Sequence, residues 1–243
     1  MTQTSIPPRY VRVAVTQFEP IWLDLQKTVD KTCLLIKAAS VNGAQLVSFP
    51  ECWIPGYPSW IWTRSVDFDL STTYIKKSLR IDSPEMACWE HALPLLKYHS
   101  YSQREGIHVS QWQPIWEHSG GPDLWSMSRD RSRTLSQAYA IESQSFVLHT
   151  TAVFSQNGID RMDTSNGLVM NATGGGTSAI FGPDDRKLSE DLPDAVEGFL
   201  YADLDLDEIL KSRSFLDVCG HYSRPDLLTI SVNDIERVLA DSK

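Results

Sequence analysis

The chain has 243 residues, 42% of them hydrophobic and 22% charged, with a formal net charge of −9. Such a balance is that of an ordinary globular chain and leaves room for one large domain or two small ones. The negative charge argues against nucleic acid and anionic membrane as partners, since both require clustered Lys and Arg.

The first predicted element is a strand over Val11–Phe18, "VRVAVTQF", where β-branched residues alternate with others. A helix follows over Leu25–Asn42, with Leu25, Val29, Leu34, Ile36 and Val41 as its apolar face and Gly43 as its stop. "QLVSFP" (Gln45–Pro50) reads as a short buried strand that Pro50 ends. Strand, helix and strand over so short a span make a βαβ unit with parallel pairing. Beyond a Pro- and Trp-rich loop, helices are expected over Ser65–Leu79 and Leu93–Glu105, then a strand over Ile107–Trp112. A long helix over Ser126–Glu142 and a strand over Ser145–Phe154 repeat the alternation. A hairpin around Gly182-Pro183-Asp184-Asp185, a strand in "GFLYADLD", a short helix in "DLDEILKSRSFL" and an extended tail in "GHYSRPDLLTI" complete the chain. The pattern is that of a layered α/β protein.

No run of about 18 apolar residues occurs, and "MTQTSIPPRYVRVAV" lacks a basic start followed by an apolar core. We therefore expect neither a membrane span nor a secretory signal. The cysteines (Cys33, Cys52, Cys88, Cys219) form no CxxC pair, so reduced thiols and a cytoplasmic location are expected. Cys33, on its helix face, and Cys219 read as small buried hydrophobes.

Glu51 directly follows a strand, where parallel sheets place their functional loops. Its loop, "FPECWIPGYPSWIW", is apolar and aromatic, and such surroundings raise a carboxylate pKa toward that of a general base. The plain alternative is a surface glutamate beside an apolar loop. Cys88 is a candidate nucleophile because a helix is expected just after it, and thiolates are favoured near helix N-termini. A Cys88–His91 dyad is disfavoured, because such dyads draw their members from separate elements. A zinc site from Cys88, His91, His99 and His108 matches no metal spacing, so no metal is expected. "TGGGTSAIFG" lacks the GKS or GKT ending of a phosphate loop and reads as a turn.

Several stretches together resemble the nitrilase branch of the carbon–nitrogen hydrolase superfamily. They are "FPECWIPGYPSW", "CWEHALPLLKYH", "HSGGPDLWSMSRDRSRTLSQAYAIESQSFVLHTTAV", "GGGTSAIFGPDDRKL" and "YADLDLDEILKSRSFLDVCGHYSRPDLL". The resemblance runs from Val11 to about Leu228 and implies one domain over residues 1–243, with an extended tail from about 213. The implied fold is an αββα sandwich. The implied chemistry is hydrolysis of a small-molecule nitrile without a cofactor, Glu51 acting as general base and Cys88 as nucleophile. Tyr57 and Trp89 would line the substrate pocket. Homo-oligomers, from dimers to longer spirals, are implied as well. Cyanide hydration, amide hydrolysis, or a non-catalytic subunit that only co-assembles are the alternative readings.

One stretch departs from the resemblance. Ser83-Pro84-Glu85 has the features of a helix start, yet Cys88 arrives within five residues. In the family, strands and a hairpin intervene there and carry the catalytic lysine and a second glutamate. Their absence between Met86 and Ala87 reads as an internal deletion that removes interior strands. None of Lys76, Lys77 and Lys97 lies in a matching motif. Loss of such an electrophilic group typically costs about 10²- to 10³-fold in rate, so a weakly active or inactive, aggregation-prone chain is expected.

Overall fold

The β-branched run near the start forms strand β1 (Tyr10–Gln17), whose central residues Val13, Ala14 and Val15 are fully buried. The computed structural model describes residues 9–64, 66–78 and 92–231 and organises them around this strand. Helix α1 (Leu25–Val41) leads to β2 (Leu46–Ser48), which pairs parallel to β1 with Val13 opposite Leu46. On its other side β1 pairs antiparallel with β6 (Gly198–Asp205), Tyr10 facing Asp205. The order of this sheet is β2-β1-β6.

A second sheet repeats the plan. Strands β3 (Ile107–Trp112) and β4 (Phe146–Thr151) pair in parallel, and β5 (Ala179–Phe181) pairs antiparallel to β4. Helices α2 (Phe68–Lys77) and α3 (Pro94–Ser102) precede β3, and α4 (Arg129–Ser143) connects β3 to β4. The short α5 (Gln156–Met162) follows β4, and α6 (Asp207–Phe215) follows β6. Val13 and Val15 of one sheet pack with Phe146, Leu148 and Ile180 of the other, so the sheets lie face to face over an apolar core. Behind the second sheet, Val147, Ala179 and Phe181 meet Tyr101 of α3 and Tyr139 and Ala140 of α4. Strand β4 is buried at every position, so its apolar half, Phe146–Leu148, does not alternate, and its buried polar half, His149–Thr151, is held by hydrogen bonds to Ser136, Ser48 and Ser178.

The structure corrects several expectations. Helix α1 has the predicted extent, but its inward residues are Thr28, Leu35 and Ala39, while Leu34, Ile36 and Val41 are exposed. Thr28, Leu35 and Ala39 fall on one stripe of a 3.6-residue helix, and Cys33 lies off it, exposed rather than buried. Cys219 is only half-buried. Helix α2 starts at Phe68 because the Asp67 side chain caps it, accepting from the Leu70 N–H at 2.9 Å. Helix α4 starts at Arg129, after a tight 3₁₀ turn over Trp125–Met127 and a cap by Ser128. Helix α5 was not expected, since "SQNGIDRM" carries a glycine in a polar setting; Ser155 caps it. The predicted hairpin closes through a bridge between Phe181 and Lys187. The tail begins after Phe215 and is anchored, because both oxygens of Asp217 accept from Arg104, at 2.6 and 2.7 Å. The helix start at Ser83 and the join at Met86–Ala87 lie outside the described residues.

Candidate active site

Strands β2, β3 and β4 end on the same side of the two sheets. The Gln111 side-chain amide donates to the Phe49 carbonyl at 2.8 Å, and the Ser48 and Thr150 hydroxyls are 2.8 Å apart across the sandwich. Pro50 has no N–H to continue the β2 ladder. The next residue, Glu51, donates its N–H instead to the carbonyl of Trp112, the last residue of β3, at 3.3 Å. The expected candidate base therefore stands where the parallel strands of both sheets finish.

The chain then folds back on itself. Cys52 takes a left-handed conformation (φ 49°), and its carbonyl accepts from the Gly56 N–H at 3.0 Å. This turn returns Tyr57 to the neighbourhood of Glu51. Burial, followed by the charge of Glu51, pushes the Tyr57 phenol up to about 12, against a smaller opposing hydrogen bond from Trp62. Tyr74 of α2 is raised too, first by burial and then by Cys52 and Glu51. Glu51, Cys52, Tyr57 and Tyr74 thus form one cluster. The loop's other aromatics tie it to the core. Trp60 packs with Trp22 and Met162 and meets Tyr74 edge-on at 5.3 Å, while Trp53 lies tilted against Phe49 and donates to Thr32 at 2.8 Å.

The raised Tyr57 pKa has a pH consequence. The folded chain keeps this proton at pH values where the unfolded chain, with a tyrosine near 10.0, has released it. Its contribution to stability is intact below about 10 and is lost as the pH rises through about 12. Urea melts across that window should show stability falling for the unmodified chain and falling less for Tyr57→Phe. Equal slopes would place the phenol in solvent, away from Glu51.

Trp62 links this cluster to a cavity of about 590 Å³. The cavity wall offers apolar and aromatic faces (Trp62, Trp116, Met127, Met170) together with two acids, Glu117 and Asp123, and, among the described residues, one cation, Arg131. Behind it, Trp112 donates its indole N–H to the Ser110 hydroxyl at 2.8 Å, and Ser136 bridges toward His149 Nδ1 at 2.8 Å. The Arg131 guanidinium lies over the Trp112 ring, 5.3 Å from its centroid. Trp112 therefore touches the Glu51 backbone, the Arg131 side chain and a buried hydroxyl network.

The glycine stretch forms the turn expected of it, and it packs behind Pro114 and Ile115 of the cavity wall. Gly175, at φ 82°, accepts from the Ile115 N–H at 3.0 Å, and a β-carbon there would sit 2.8 Å from Pro114. Sequence reasoning had not found Arg131, Trp112 or Tyr74; they become visible only once β3, α2 and α4 meet the Glu51 loop. Lys97 is buried and engaged with Glu142 at 2.7 Å, beside the Tyr101 hydroxyl. Cys88 and Trp89 lie outside the described residues.

The profile of the carbon–nitrogen hydrolase family matches residues 12–87 and 85–213. The two matches meet at the join inferred from the sequence. An arylacetonitrilase of Aspergillus kawachii is 47% identical, covering 91% of this chain and 92% of its own length. An arylacetonitrilase of Aspergillus oryzae is 45% identical, with 96% and 94% covered. The Aspergillus kawachii alignment runs over 300 positions, more than the 243 residues of this chain, so that relative carries residues with no counterpart here. Among solved structures, an amidase from Nesterenkonia sp. AN1, with an acetamide moiety added at its active site cysteine, superposes with a TM-score of 0.54. It is 14% identical and covers 88% of this chain and 100% of its own, a likeness of fold. Matches of this extent, in the order of the motifs, decide the family: the chain belongs to the carbon–nitrogen hydrolases, in their nitrilase branch.

Proposed function

We propose that this chain hydrolyses arylacetonitriles, slowly, with Cys88 as nucleophile and Glu51 as general base. The observation that carries the reading is the aromatic cavity beside the Glu51–Tyr57 cluster, in a chain whose arylacetonitrilase relatives match it over most of its length. Glu51 takes the Cys88 thiol proton, and the sulfur adds to the nitrile carbon while the nitrogen is protonated, giving a thioimidate. Water adds to that carbon to form a tetrahedral intermediate. Expulsion of ammonia leaves a thioester, and a second water releases the carboxylic acid and restores the thiol. Expulsion of the thiol from the tetrahedral intermediate releases an amide instead. Tyr57 and Trp89 line the path of the substrate. Turnover is low because the segment that supplies the family's lysine is missing. The family resemblance supports a homo-oligomer, and the exposed thiol of Cys33, which is in no disulfide, suits a reducing cytoplasm.

The test is ammonia and amide release by the purified, folded chain from arylacetonitriles, aliphatic nitriles, cyanide and simple amides. Slow turnover of arylacetonitriles that disappears in Cys88→Ala is the expected result. Hydrolysis of amides alone would make the chain an amidase. Silence from a folded chain that still co-assembles with an active homologue would make it a non-catalytic subunit.

A further inference from the structure

We infer that the 590 Å³ cavity is a binding site for aromatic carboxylates, with Arg131 as the group that receives the carboxylate. Three observations on the cavity wall lead there. The first is a contrast along one helix. Arg129 pairs with Glu117 and Arg133 with Asp191 at 2.9 Å, whereas Arg131, between them, has no carboxylate partner among the described residues. The second is the state of the wall's two acids. Glu117 is held by Arg129, and Asp123 accepts from Ser119 at 3.4 Å and lies 3.7 Å from His118 Nε2. Neither lies within ion-pair distance of Arg131.

The third observation is position. Arg131 belongs to the first turn of α4, where the helix dipole disfavours a cation. A cation placed there without a counter-charge gains most from an arriving anion. Its guanidinium lies over Trp112, 5.3 Å from the ring centroid, and a guanidinium can meet a carboxylate with a two-pronged hydrogen bond. Around it, Trp62, Trp116 and Met170 offer the apolar faces that an aryl ring requires. Arylacetate is then the natural probe, a choice that rests on the proposed reaction, whose product it is. The site makes the product a competitive inhibitor of nitrile entry.

The experiment is calorimetric titration of the full chain with phenylacetate and with its neutral isostere phenylacetamide. The acid should bind about tenfold more tightly, as one charge-assisted contact provides. Added salt should shrink that advantage. Arg131→Gln should abolish it while leaving the amide's affinity in place, and Arg131→Lys should restore part of it. Equal binding of acid and amide by the unmodified chain overturns the inference, as does an advantage that survives Arg131→Gln. If Arg131→Gln fails to fold, the acid–amide comparison and its salt dependence in the unmodified chain decide the matter. Nitrile turnover without an acid advantage sinks this inference alone; an acid advantage without turnover sinks only the proposed reaction.

Discussion

Insertion between Met86 and Ala87 of the lysine-bearing segment that the family resemblance implies there should raise kcat for an arylacetonitrile by about 10²- to 10³-fold, the usual worth of one electrophilic stabiliser. The argument is positional. The family profile breaks at residues 85–87, and the described cavity wall, from Trp62 to Ala172, comes from segments on either side of the break. Such an insertion should change kcat far more than KM, because the cavity wall comes from segments already present. Paired kinetics on both forms, at matched concentrations of folded protein, measure this. An unchanged kcat would mean that a cation of the present chain already stabilises the developing charge.

Phe154→Ala should cost about 3–5 kcal/mol, the range for removing a fully buried aromatic ring. Phe154 has no exposed surface and meets Trp22 edge-on at 5.0 Å and Trp116 at 6.1 Å. Its backbone is locked to Gly174 by two hydrogen bonds, of 2.8 and 2.9 Å, so the site cannot collapse into the space left behind. Trp116 also lines the cavity, so the wall should loosen along with the core. Leu34→Ala is the informative contrast. The helical spacing put Leu34 on the apolar face of α1, yet it is 65% exposed, and its truncation should change stability by less than about 0.5 kcal/mol. Urea melts of the two variants separate the outcomes. A costly Leu34→Ala would show that something covers that face of α1 in solution.

The fate of α1 shows where sequence reasoning stops. Its start after Asp24, its length and its end near Gly43 follow from local hydrogen bonding and backbone preference, which neighbouring residues determine. Which stripe turns inward depends on the sheet it meets. A polar residue, Thr28, lies on that stripe because its hydroxyl hydrogen-bonds the Ile21 and Asp24 carbonyls, at 3.0 and 2.9 Å. Hydrophobicity alone pointed to the other side.

The strand–helix alternation, the position of Glu51 at a strand end, the family motifs and the break before Cys88 that the family profile repeats are all legible in the order of residues. These are properties of short windows, where pleat, helix period and motif spacing are written directly in the order of residues. Packing of distant segments is what makes Trp112 anchor the Glu51 loop, sets Tyr57 beside Glu51 and Trp53 against Phe49, and leaves Arg131 on the cavity wall without a carboxylate partner among the described residues. Each of these depends on groups far apart in the chain, as when Ser48 reaches Thr150 across two sheets. Burial, charge and hydrogen bonding at such points are set by packing, and packing appears only when the layers close.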